Sequence, residues 1–165
     1  MIKLRLFKTG DEKVIATWIT NPKEFYMWSA GIMGDYPITE QKILDAVSAR
    51  EHDSKYFPFV AVDNNDIVGF FTMRTPYDDD KKVSFGYVIV DPNKRGLGIG
   101  KKMLELGLEF AFYEYGASEV SLDVFDINDI AYKCYKKIGF IETGKQETTK
   151  VGEYTWNYIE MMKKR

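Results

Sequence analysis

The stretch from Val88 to Lys101 constrains this chain most. It reads Val88-Ile89-Val90-Asp91-Pro92-Asn93-Lys94-Arg95-Gly96-Leu97-Gly98-Ile99-Gly100-Lys101. A run of β-branched apolar residues ends at Asp91-Pro92. A short, basic, glycine-rich turn follows, and a helical pattern begins directly after it. Strand, glycine loop and helix in that order aim several backbone N–H groups and the positive end of a helix at one point, which suits an anion and above all a phosphate. The rest of the chain is expected to be organised around this cradle.

The flanking pattern supplies the scaffold. Ile2, Leu4 and Leu6 alternate with Lys3 and Arg5, as in a half-buried strand. Thr9 and Glu12 match a capping box for a helix burying Val14, Ile15, Trp18 and Ile19, which Asn21-Pro22 should stop. Phe25 to Tyr36 carries Tyr26, Trp28, Gly31 and Gly34 with little period. It fits an aromatic-lined loop or short helix beside a ligand, and equally a surface segment tucking its aromatics into the core. Thr39 can cap a helix with Ile43, Leu44 and Val47 inward. Tyr56–Val62 and Ile67–Arg74 read as a hairpin around Asp63–Asp66, and Val83–Val90 as a third, antiparallel strand buried on both faces. Tyr77–Lys82 reads as a solvated turn, since its consecutive acids lack the spacing and glycine of a calcium loop.

Beyond the glycines, a helix from Gly98 to Tyr115 should bury Ile99, Met103, Leu106, Phe110 and Tyr113, widened by Leu104, Leu108 and Ala111. Gly116 closes it. Val120–Phe125 follows as a strand, and a helix crossing between two strands makes them parallel. Asp126 or Asn128 caps another helix, with Ile130, Ala131, Cys134, Tyr135 and Ile138 inward, and Gly139 ends it. Strands at Phe140–Glu147 and Tyr154–Met162 complete the chain. The expected fold is a single α/β (α+β) domain over residues 1–165. A mixed, mainly antiparallel sheet of six to seven strands is flanked by about four helices, in the order β-α-α-β-β-β-α-β-α-β-β.

Composition narrows the function. A 45% hydrophobic, 15% aromatic chain of 165 residues can bury a substantial core. A formal net charge of −2 gives no reason to expect nucleic acid or an anionic membrane as partner. No apolar run approaches the ~20 residues of a membrane span, and Met1–Leu6 alternates like a strand rather than a leader. Cys134, the single cysteine, fits a reducing compartment. A cytoplasmic protein, monomeric or homodimeric, is expected.

Three glycine motifs compete for the loop. A P-loop would place its first glycine at Arg95 and its magnesium-binding hydroxyl at Lys102, so it fails twice. A dinucleotide fingerprint on Gly96 and Gly98 would need its third glycine at Lys101, and it would follow an early strand rather than a meander. What remains is Arg95-Gly96-Leu97-Gly98-Ile99-Gly100 after Val90-Asp91-Pro92. This closely resembles the acyl-CoA signature of the GCN5-related N-acetyltransferase (GNAT) superfamily. A second motif of that family, Asn128-x-x-Ala131-x-x-x-Tyr135-x-Lys137-x-Gly139-Phe140, is matched at every fixed position. The resemblance covers nearly the whole chain. Leu4-Arg5 followed by a helix with Trp18 resembles the branch containing ribosomal-protein N-terminal acetyltransferases.

The resemblance implies direct transfer of an acetyl group from acetyl-CoA to a primary amine, of a small molecule or a peptide N-terminus, without a metal. The CoA pyrophosphate would meet the backbone of Gly96, Leu97, Gly98, Ile99, Gly100 and Lys101, with Arg95 and Lys101 adding side-chain contacts. The pantetheine arm would lie along Val88-Ile89-Val90, where that strand splays from Val120–Val124, and a backbone N–H there could serve as oxyanion donor. Tyr135 occupies the family's general-acid position over the sulfur; otherwise it is a core aromatic at helical spacing. Asn128 can bond the pantetheine amides, cap its helix, or both. Asp123, Asp126 and Glu24 are candidates for the base, each equally an ordinary surface or capping acid. His52 reads as a surface residue. Cys134 reads as a small buried hydrophobe rather than a nucleophile, because no histidine base is near it. A catalytically silent CoA-binding or sensing protein of the same fold is the alternative.

Overall fold

The computed structural model describes residues 1–76 and 78–165. Tyr77, within the expected charged turn, lies outside the described residues. The elements are β1 (Lys3–Leu6), α1 (Glu12–Ile15), α2 (Pro22–Ser29), α3 (Glu40–Ser48), β2 (Tyr56–Asp63), β3 (Asp66–Arg74), β4 (Lys82–Val90), α4 (Ile99–Glu109), β5 (Glu119–Phe125), α5 (Asp129–Ile138), β6 (Ile141–Val151) and β7 (Tyr154–Lys164). The strands form one seven-stranded sheet in the order β1-β2-β3-β4-β5-β7-β6. Neighbours are antiparallel except β4 and β5, which run parallel across the α4 crossover, as the sequence predicts.

Each face of the sheet has its own core. Strand residues alternate between faces, so Phe71, Met73, Phe85 and Leu122 lie under α4 with Met103, Leu104 and Leu108. Val60, Phe70, Ile89 and Phe125 lie under α1–α3 with Ile15, Phe25 and Ile43. Helix α4 rests close on its face. A Cβ at Gly107 would stand 2.7 Å from Cζ of Phe71 and 3.2 Å from Cζ of Phe85. Gly107→Val is therefore expected to destabilise by about 2 kcal/mol or more through overpacking, a fall in Tm of roughly 4–8 °C for a chain of this length. Calorimetry checks it. An unchanged Tm would mean that α4 does not bear on the sheet at this point.

The register between β4 and its two neighbours shapes the centre of the molecule. On one side, Phe70 pairs with Ile89 and Thr72 with Gly86, so Phe71 alone faces both Tyr87 and Val88. This is a β-bulge. Tyr87 takes φ +50° there, a strained value for a bulky side chain. The indole Nε1 of Trp28 on α2 donates to its carbonyl at 2.9 Å, which satisfies the group the bulge turns out of the ladder. On the other side, β4 pairs with β5 only at Lys82–Glu119, Val83–Val120 and Ser84–Ser121. Past that row the two strands separate. Accordingly β4 is not buried on both faces as expected: Ser84, Gly86, Tyr87, Val88 and Val90 are all partly exposed, because a cleft opens where a neighbouring strand would have covered them.

Several local expectations are corrected. Thr9 does not form the capping box. Asp11 competes for that turn, accepting from the Lys8 amide at 2.8 Å and from both nitrogens of the Arg5 fork at 2.7 and 2.9 Å, while Glu12 accepts from the Gly10 amide at 2.7 Å. The helix that follows is one turn long, and Val14 is exposed while Ile15, Trp18 and Ile19 are buried. Asn21-Pro22 stops nothing. Asn21 caps α2 by accepting from the Glu24 amide at 3.0 Å, with Pro22 at its first position. This helix, not counted in the order expected from the sequence, brings the described α-helices to five, and its Phe25 and Tyr26 enter the core. Thr39 caps α3 as predicted. After Glu109 the helix widens into a π-type segment, Phe110–Tyr115. The shift in period turns Tyr113 outward, 75 % exposed, and buries Phe112 in its place. On α5, Ile130 is likewise outside, 78 % exposed. The final strands run longer than predicted, to Val151 and Lys164, since a half-exposed hairpin of Thr, Lys and Glu lacks apolar contrast at its ends.

Candidate active site

The cradle begins where β4 ends. Asp91 caps a single turn, Pro92–Lys94, by accepting from the Asn93 amide at 2.9 Å. Arg95 is extended. Gly96 and Gly98 take φ +78° and +77°, in the left-handed region that disfavours any side chain. A Cβ at either would meet no protein atom within 4 Å, so the space over both is open. Helix α4 starts at Ile99 with no side-chain cap and no acidic residue in its first turn. Its first N–H groups therefore face outward with the positive end of the helix dipole behind them.

The cradle leads into a cleft of about 910 Å³ that follows the gap between β4 and β5. Of the residues expected to hold a ligand, Val88, Ile89, Val90, Arg95, Gly96, Ile99, Gly100, Asn128 and Tyr135 line it. Leu97, Gly98 and Lys101 are not on its wall. Leu97 is 73 % exposed, and Lys101 pairs with Glu105 one turn along α4 at 3.8 Å. Arg95 reaches back to Glu24 on α2 at 3.7 Å. Glu24 is thus engaged at the cradle end. Asp126 is exposed and not on the cleft wall, whereas Asp123 is on it.

Tyr135 stands on α5 in the gap, 6 % exposed, its ring 6.1 Å from that of Phe140. Among the described residues its hydroxyl has no hydrogen-bond partner, and no fully buried polar side-chain atom is left unpaired, so the hydroxyl opens on the cleft. Burial holds it protonated well above the ordinary tyrosine range, with Cys134 adding to the effect. Asn128 accepts from the Ala131 amide at 3.3 Å through Oδ1. The cap leaves its amide N–H₂ available to the cleft, so the two roles are compatible. Burial also pushes the Cys134 thiol up, which disfavours thiolate. His52, 94 % exposed on its side chain, is a surface residue. Among the described residues no cluster of three or more His, Cys, Asp or Glu side chains could hold a metal ion, and no helix is long and apolar enough to cross a membrane.

The sequence reading missed the far end of the cleft. Trp28 and Tyr87 pack edge to face there, with centroids 5.5 Å apart. Arg50, Tyr56, Thr72 and Arg74 also line it. Trp28 belongs to the aromatic segment Phe25–Tyr36, which divides: Phe25 and Tyr26 are core, while Met27 and Trp28 line the cleft. The arginines carried no local signal, because α3, β2 and β3 meet only in three dimensions.

A family model described as the Acetyltransferase (GNAT) family matches residues 16–140. The chain is 35% identical over 92 residues to an uncharacterised, prophage-derived N-acetyltransferase of Bacillus subtilis, YokL, covering 54% of this chain and 50% of that protein. It is 31% identical over 96 residues to the peptidyl-lysine N-acetyltransferase YjaB of Escherichia coli, covering 58% of this chain and 56% of that one. The chain thus spans about half the length of these curated relatives. In fold it is similar to a spermidine N-acetyltransferase from Vibrio cholerae solved in complex with CoA and spermine, with a TM-score of 0.82 at 19% identity over 99% of this chain and 95% of that one. The family match includes the glycine cradle, the separating strands and the Asn128–Phe140 motif: the chain belongs to the acetyltransferase (GNAT) family.

Proposed function

We propose that this chain transfers the acetyl group of acetyl-CoA directly to a primary amine, of a small molecule or a peptide N-terminus. The observation that carries the reading is the opening between β4 and β5. It joins an uncapped helix N-terminus with open glycines at one end to a buried tyrosine in the middle whose hydroxyl opens on the cleft. Past Ser84, the edge of β4 that faces β5 has lost its ladder partner. Its N–H and C=O groups can take strand-like hydrogen bonds from an extended pantetheine arm. The residues present fit the cosubstrate on that ground, and when bound it supplies the activated thioester.

Each residue then has a task. Gly96 to Lys101 offer backbone donors to the pyrophosphate. Val88 to Val90 hold the arm and set a backbone N–H where the carbonyl oxygen gains charge. Asn128 bonds the arm's amides. Tyr135 gives its phenolic proton to sulfur as the acceptor nitrogen forms the amide bond and the C–S bond breaks. The surplus proton of the amine leaves to solvent through the open side of the cleft, and the Tyr135 phenolate takes one proton back from the same water, which restores the acid.

Thiol release from acetyl-CoA in the presence of a panel of amines tests the reading. Sustained, amine-dependent release is expected. Binding of acetyl-CoA with no release for any amine would assign the chain to the silent, CoA-sensing alternative.

A further inference from the structure

Row by row across the sheet, Tyr56 on β2 pairs with Arg74 on β3, Arg74 with Ser84 on β4, and Ser84 with Ser121 on β5. The last of these is the final paired row before β4 and β5 separate. Arg74 therefore stands at the closed end of the opening. Its side chain shares a face with Thr72 and Phe70, the face under α1–α3 and away from α4. Arg50, just past α3, reaches the same place, its guanidinium 5.6 Å from the centre of the Tyr56 ring. Among the described residues its one acidic contact is loose, Asp53 at 3.8 Å. Among the described residues no carboxylate lies within 4.0 Å of the Arg74 guanidinium. Two arginines thus converge on one end of the cleft with little of their charge answered by the protein.

These arginines are too far from the glycine loop to serve the pyrophosphate. Ser84 and the end of β4 at Val90 are six residues apart, or ~20 Å along a strand. The carboxylate at this end is Asp123, on the same face of β5 and two residues beyond the last paired row, ~7 Å further along. Asp123 is exposed on the cleft wall, and the protein packed around it together with the neighbouring Glu160 pushes its carboxyl up, while Lys145 and Arg74 pull it down. The wall therefore presents cations at the closed end and one acid beside the opening.

We propose that the acceptor is a small molecule carrying a carboxylate a few bonds from its amine, with the carboxylate held by Arg74 and Arg50 and the amine turned past Asp123 toward the opening. This deepens the transferase reading and rests on it. A guanidinium fork binds a carboxylate through two parallel hydrogen bonds, which orients as well as attracts. A polyamine would bring a second ammonium group against two arginines and be repelled. In this respect the cleft is built for a different acceptor from the spermidine N-acetyltransferase that shares its fold.

The test compares free α-amino acids, the same amino acids as carboxamides, and spermidine by thiol release from acetyl-CoA. For the wild-type chain, kcat/KM for the amino acids should exceed that for their carboxamides and for spermidine by roughly tenfold or more, the range of a hydrogen-bonded charge. Arg74→Gln should erase the preference by raising KM for the amino acids with kcat within about twofold. Arg74→Lys should restore part of it. Acetyl-CoA affinity should be the same in all three proteins. A preference for the carboxamides or for spermidine overturns the proposal while leaving the transferase reading intact. So does an acid-to-amide ratio that Arg74→Gln does not change. A wild-type chain that acetylates no amine overturns both readings, and is seen before any variant is compared.

Discussion

Replacement of Tyr135 by phenylalanine is expected to lower kcat on the order of 10²-fold, with acetyl-CoA affinity nearly unchanged. The magnitude sits at the lower end of general-acid effects because a thiolate is already a fair leaving group. Among the described residues the hydroxyl has no partner to lose, so the change removes a proton donor and little else. Stability should hold accordingly, since the ring and its packing against Phe140 remain. The pH dependence is a second readout. The acid works protonated, and burial raises the pH at which it loses its proton. The advantage of wild type over Tyr135→Phe should therefore persist through pH 10, where an ordinary tyrosine would begin to lose it, and fall only above that. Rate measurements on both proteins from pH 7 to 10.5 check this. Equal kcat at every pH would remove Tyr135 from the acid role and return it to the core.

Much of the candidate site's geometry could be read from residues close together in the chain, because its parts are local. The cradle is one strand end, two glycines and one helix start. The second motif is one capped helix with Tyr135 on its inner side. The parallel pairing of β5 follows from a helix lying between two strands. The remainder depended on partners distant in sequence. The bulge at Tyr87 is held by an indole 59 residues away, and nothing in Val83–Val90 announces it. Arg50, Tyr56 and Arg74 meet only because β2 and β3 pair in register. The misplaced faces have separate local causes. Val14, Tyr113 and Ile130 each sit at the correct helical spacing, but a one-turn helix, a π-type widening and an exposed helix start respectively turn them to solvent. Hydrophobic periodicity identifies the element more reliably than it identifies the side that will be covered.

Gly98→Glu is expected to abolish acetyl-CoA binding, raising Kd by at least a hundredfold, in a chain that still folds. Folding survives because a Cβ at Gly98 meets no protein atom. The cost to the free protein is then the backbone strain of a side chain at φ +77°, about 1–2 kcal/mol, or roughly 2–8 °C in Tm. Binding suffers for two separate reasons. The side chain enters the space that an approaching anion needs. Its carboxylate also sets a negative charge against the helix end that would have attracted the pyrophosphate. Gly98→Ala separates the two, because it imposes the strain without the charge and should lose much less affinity. Thermal shift measures all three proteins. At a hundred times its Kd, acetyl-CoA stabilises by about 2.7 kcal/mol, a rise of roughly 5–10 °C for wild type. Gly98→Glu should show no rise at that concentration, and Gly98→Ala an intermediate one. A full wild-type shift in the glutamate variant would mean that the phosphates bind elsewhere. The two glycines with left-handed backbone would then be there for the turn from β4 into α4, and the anion site would have to be sought along the rest of the cleft.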